Sequence, residues 1–121
     1  MKGVKLTPDL LALLYRALLE TQPFSGWIMP PCGSVRFEVS GAKDVYGDAT
    51  PINGGPIGFD YRVRVSKHKN GTVLSALETL AHEMVHLHLF CIGKGNAQHG
   101  PEFKRCAEQV CKFHGFDPKR F

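Results

Sequence analysis

The stretch "LAHEMVHLHLF", residues 80–90, sets three histidines and one glutamate into an otherwise apolar run. The pattern around it is helical from Thr72 to about Ile92. Capping-box candidates stand at Thr72 and at Ser75 with Glu78, and Gly93 and Gly95 end the run. On that helix His82 and His86 lie four positions apart, so they differ by about 40° in direction and ~6 Å in height. Both imidazoles can reach one cation, and Glu83, beside the first of them, can hold a water on it. His-Glu-x-x-His is the pattern of two zinc ligands and a general base. His88 points about 160° away from His86 and cannot share that metal. It is expected to be a packed or surface histidine.

A catalytic zinc commonly takes three protein ligands and leaves a position for water. A metzincin would need glycine and histidine where this chain has Leu89 and Ile92, which excludes that class. His99, Glu102 and, more weakly, Glu108 remain. From His86 to Ile92 the helix carries the chain only ~9 Å away, and residues 93 to 99 can span up to ~23 Å. A return is therefore easy. His99 precedes Gly100-Pro101, the mouth of the next helix, which would fix its position, whereas Glu102 suits a first-turn acid complementing the helix dipole. His99 is the preferred third ligand.

Outward from this centre, "DYRVRVS" (residues 60–66) and "SVRFEVS" (residues 34–40) alternate apolar and charged positions, as half-buried strands do. The Gly- and Pro-rich segment between them leaves room for one more short strand near Val45. Thr7-Pro8-Asp9 reads as an N-cap, first-turn proline and acidic first turn of an N-terminal helix. Its apolar face is expected at Leu10, Leu14, Ala17 and Leu18. Arg16 interrupts that apolar run and no small-residue cleavage site follows, so the segment is read as a helix and not as a leader. Pro101 opens the last helix, with a stripe of Phe103, Cys106, Ala107 and Val110, and Gly115 stops it. The expected architecture is α+β, one domain over residues 1–121, with a small antiparallel sheet packed on helices.

Composition narrows the partners. The chain has 121 residues, with 15 Lys plus Arg against 11 Asp plus Glu, a mild basic excess that permits an anionic partner without requiring one. No run approaches the ~18 apolar residues of a membrane span. The four cysteines, Cys32, Cys91, Cys106 and Cys111, show no CxxC spacing. They read as reduced thiols of a cytoplasmic protein.

"HEMVHLHLF" followed by "HGPEF" resembles the SprT-like family, whose best-known members are the Spartan-type proteases of DNA–protein crosslinks; "YRVRVS" and "LSALETLAHEMVH" are similar to the family's approach to its active site. The resemblance implies a minimal zincin-like metalloprotease fold, with His82, His86 and His99 on Zn2+ and Glu83 as catalytic acid/base. It implies a zinc-dependent endopeptidase acting on protein substrates, including DNA-associated ones. The chain departs from the family at His88, where relatives often carry an aromatic residue. Weak binding of DNA, preferably single-stranded, is expected from the resemblance and from Lys67–Lys69, Lys104–Arg105 and Lys119–Arg120. The protein is expected to be a monomer without membrane contact. Tyr46, Tyr61 and Arg62 are all conceivable oxyanion donors. Two rival readings are a zinc-stabilised binding module without turnover and a metalloprotease with a dedicated target and no DNA role.

Overall fold

A computed structural model describes residues 5–54, 58–96 and 98–121, with the side chains of residues 53 and 54 also outside the description. The order is helix α1 (Pro8–Leu19), strands β1 (Val35–Ser40), β2 (Gly47–Gly54) and β3 (Phe59–Ser66), then helices α2 (Val73–Cys91) and α3 (Pro101–His114). Among the described residues no helix is long and apolar enough to cross a membrane.

Helix α1 starts where its caps dictate: the Thr7 hydroxyl accepts from the Leu10 N–H at 3.1 Å, and Pro8 occupies the first turn. Its inward face is Leu11, Tyr15 and Leu18, rotated from the expected one. Leu10 and Leu14 are half-buried and Ala17 is exposed. The reason is Tyr15, whose ring is fully buried because its hydroxyl donates to the Pro30 carbonyl at 2.5 Å. A tyrosine whose one polar atom is satisfied packs as a large apolar residue. Burial also raises its pKa.

The sheet is mixed, which corrects the antiparallel expectation. Its order is β1-β3-β2, with β1 parallel to β3 and β2 antiparallel to β3. The third strand is longer than the short one expected near Val45 and begins just after it. Gly47, Pro51 and Gly54 hide it by breaking the alternation, yet each is tolerable on an edge, where no second ladder is needed. Gly47 is required by close approach: a Cβ there would stand 2.5 Å from the Arg64 carbonyl oxygen and 3.1 Å from Thr79 Cγ2. The strand thereby lies tightly against α2. Val35, Phe37, Val63 and Val65 face the core, and Arg64 pairs on the other face with Asp48, Nε to Oδ1 at 3.0 Å.

Helix α2 runs through the middle of the molecule. Thr72 caps it, its hydroxyl accepting from the Ser75 N–H at 3.1 Å. Every residue from Thr79 to Leu89 except His82 is buried. It is thus covered by the sheet, by α1 and by α3. One buried residue sets the junction between the β3–α2 turn and the sheet. Asn70 donates to the Tyr46 and Ser66 carbonyls at 3.1 and 2.8 Å and accepts from the Ser75 and Thr79 hydroxyls at 2.9 and 2.7 Å. All four hydrogen-bonding valences of its amide are used, tying the approach to β2 onto the first turns of α2. Helix α3 has the expected start at Pro101, with Phe103 and Val110 buried, Cys106 and Ala107 packed beside them, and Gly115 in the left-handed C-cap at φ 77°.

Candidate metal centre and active site

Helix α2 projects His82 and His86 from adjacent turns, and the connection to α3 returns His99 to meet them. Their ligand nitrogens all lie within 4.8 Å of one another, and no other such group of His, Cys, Asp or Glu occurs among the described residues. The rings surround a common point, with centroids 5.2 Å (His82–His86), 5.2 Å (His82–His99) and 5.0 Å (His86–His99) apart. Nε2 of His82 and Nε2 of His99 are 3.2 Å apart. Two imidazole nitrogens at ~2.05 Å from one tetrahedral Zn2+ would be separated by ~3.3 Å. The donor set fits a small cation that prefers nitrogen ligands.

The tautomer of His82 follows from its other nitrogen. Nδ1 lies 3.0 Å from the main-chain oxygen of Phe121, which can only accept, so Nδ1 carries the proton and Nε2 offers a lone pair to the cluster. The pKa of His82 is lowered to about 4 by burial and then by His99, against the raising effect of the Phe121 hydrogen bond. That of His86 is also lowered to about 4, by burial and then by His82 and His99. Both are neutral around neutral pH, the state a metal ligand needs.

Glu83 is 4% exposed. Burial, and then the negative charge of Asp48, push its carboxyl up to about 8. It shares with His82 a cleft of about 540 Å³ that is also lined by Tyr46, Gly47 and Lys119–Phe121. A second cleft of about 390 Å³ lies beyond His82 and His99, against Phe103 and Ala107 of α3, with Phe121 again at its wall.

Glu102 is turned away from the histidines, toward Lys94 Nζ at 3.5 Å and Arg105 Nη1 at 3.3 Å, and Glu108 is exposed. His88 is buried; its Nδ1–H donates to the Ile28 carbonyl at 2.9 Å and its ring stacks on Trp27 at 4.5 Å. It holds the irregular segment before β1 onto α2. Of the three oxyanion candidates only Tyr46 lines the Glu83 cleft. The Tyr61 hydroxyl meets Cys91 Sγ at 3.7 Å, with its pKa pushed up to about 12 by burial and then by Cys91, and Arg62 lies beside Arg36 and Thr50 in the sheet register.

Two residues at the centre were not expected there: Phe103, read only as part of the α3 stripe, and Phe121. The Phe103 ring lies 4.9, 4.6 and 4.7 Å from the rings of His82, His86 and His99 and forms the floor of the cluster. Its signal was available: Phe103 is four residues beyond His99, across a helix start, so the first turn of α3 brings both to one side. Phe121 gave no such signal.

Comparison with curated proteins and with solved structures produced no match. The model of the SprT-like family matches residues 61–120, from β3 through α2, the His99 connection and α3. Through that span, which holds all three clustered histidines and Glu83, the chain carries a SprT-like domain.

Proposed function

We propose that this chain is a zinc-dependent endopeptidase of the zincin type, built around the His-Glu-x-x-His helix α2. The observation that carries the reading is the convergence of His82, His86 and His99 within 4.8 Å beside a cleft that also contains the buried Glu83. His82, His86 and His99 hold the metal, which when bound supplies Lewis acidity, lowering the pKa of a coordinated water and polarising a scissile carbonyl. Glu83 would act as general base and then general acid, its carboxylate accepting a proton from the attacking water and delivering it to the leaving amine. Tyr46, which lines the same cleft, is the hydroxyl donor available to the developing oxyanion.

Strand β2 is a sheet edge whose start borders the cleft. An extended protein segment laid along that edge would bond through its main chain, which accepts many sequences. Unfolded or flexible protein is therefore the substrate class. Lys119 and Arg120 line the Glu83 cleft, Lys104 lines the second one, and Lys69 sits over the Tyr46 ring at 5.3 Å. These cations support weak binding of single-stranded DNA beside the site, which would bring DNA-associated protein to it by proximity.

The test is cleavage of an unfolded protein by the purified, zinc-loaded chain, with and without single-stranded DNA and with a chelator control. Chelator-sensitive cleavage supports the protease. No cleavage at full zinc occupancy would favour a zinc-stabilised binding module, and cleavage indifferent to DNA at low salt would favour a protease aimed at a dedicated target.

A further inference from the structure

The segment after α3 is built to return to the metal centre. Gly115, at φ 77°, turns the chain out of the helix, and Phe116 is buried immediately behind it. The Asp117 side chain then accepts from the Lys119 N–H at 3.0 Å, and its carbonyl accepts from the Arg120 N–H at 3.0 Å. This turn delivers Phe121 to His82. The Phe121 ring stacks against Phe116, with centroids 6.0 Å apart and planes 15° from parallel, and lies 5.3 Å from the His82 ring. Its main-chain oxygen receives the His82 Nδ1–H at 3.0 Å.

We infer that Phe121 is a positioning residue of the metal centre, its main-chain oxygen holding His82 in the tautomer and ring orientation that aim Nε2 at the metal, with the Asp117 turn and the Phe116 stack setting the place of that oxygen. The inference rests on the reading of His82 as a metal ligand. A ligating imidazole is free to rotate about its side-chain torsions and to exchange tautomers unless its second nitrogen is engaged. Of the histidines on α2, His82 is the least enclosed, since it alone breaks the buried run from Thr79 to Leu89. Helix packing therefore restrains it less than it restrains His86. The Phe121 oxygen supplies what the helix lacks.

Phe121→Ala keeps a carbonyl at position 121 but removes the ring that anchors it. Asp117→Ala loosens the turn, and Asp117→Asn retains a side-chain oxygen able to accept from Lys119. Each is made in the full chain and titrated with Zn2+ in competition with a chromogenic chelator, alongside thermal unfolding of the metal-free protein and the downfield imidazole N–H signal of His82. Loss of an outer partner to a metal-binding histidine typically weakens affinity by roughly 10–100-fold. Phe121→Ala should show a loss of that order and the fading of the His82 N–H signal, at a metal-free melting temperature close to wild type. Asp117→Ala should fall between, and Asp117→Asn should restore wild-type affinity. Wild-type zinc affinity in both Phe121→Ala and Asp117→Ala would overturn the inference alone, as would losses that merely track a lowered melting temperature. A wild-type chain that takes up no zinc would overturn the metal reading beneath it.

Discussion

Replacing Glu83 by glutamine should stabilise the metal-free protein while removing its activity, and the two effects have one cause. The carboxyl is buried and its pKa is raised from 4.5 to about 8, chiefly by burial. The folded state thus holds a proton that the unfolded chain has released, so stability falls as pH rises from about 4.5 and the loss is complete above about 8. At ~1.4 kcal/mol per pKa unit the full cost is ~5 kcal/mol. Glutamine keeps the shape and never ionises, but a buried amide without a partner gives back ~1–3 kcal/mol. The net difference should be near zero at about pH 6, where the wild-type cost is ~2 kcal/mol, and reach ~3 kcal/mol above pH 8. For a chain of this size that is ~10 °C in melting temperature. The assay is thermal unfolding in the presence of chelator from pH 6 to pH 9, paired with zinc uptake and proteolysis at pH 7.5. Zinc uptake should survive, and cleavage should fall by roughly 10²–10⁴. A wild-type–variant difference that does not change with pH would refute the idea of a buried, proton-holding carboxyl. Undiminished cleavage at equal zinc occupancy would refute its role as base.

His99→Ala should abolish tight zinc binding, whereas Glu102→Ala should retain the metal and change stability by less than about 1 kcal/mol, because its partners are exposed cations; metal content after dialysis decides. The lowered pKa of His82 and His86, about 4 in the fold, means that their neutral forms favour folding above about pH 6.5 and that this contribution is lost as pH falls toward 4. Together with Glu83 they put the stability maximum of the metal-free protein near pH 6.5, measurable by urea unfolding across pH. Asn70→Ala removes four hydrogen bonds around a buried site and should cost ~3–5 kcal/mol at about 1 kcal/mol each; a loss below ~1 kcal/mol would mean that the junction does not depend on it. Single-stranded DNA, if held by about three phosphate contacts, should bind with a log–log salt slope of roughly −2, and a flat salt dependence would remove the cationic rims of the clefts from consideration.

The elements legible in the sequence are those whose signals are local. Thr72 and Gly93 bracket α2, Pro101 and Gly115 bracket α3, and the i, i+4 spacing of His82 and His86 needs only the helix. His99 was reachable because chain length and a helix start constrain it. The sheet was harder, since whether β1 runs parallel to β3 depends on where a crossing segment places it, and no alternation within "SVRFEVS" records its partner. Strand β2 owes its conformation to its ladder with β3 and to the bare Cα of Gly47 against Thr79, which in sequence look like a loop. The inward face of α1 turned on Tyr15, whose core character comes from an acceptor at Pro30. Phe121 reaches His82 through a turn after α3, a contact that no pattern of residue types announces.

The three clustered histidines are mounted unequally, and this bears on how a metal would come and go. His82 and His86 ride on a helix buried on nearly every side, and His99 stands on an exposed connection. Segments with little burial open at far lower free energy than core helices. Release would therefore begin at His99, converting a tridentate grip into a bidentate one without disturbing α2, and capture would run in reverse, the helix pair meeting the ion first. Off-rates would then track local opening at His99 and not the stability of the fold, so stiffening the backbone beside His99 should lengthen metal residence more than any repacking of the core.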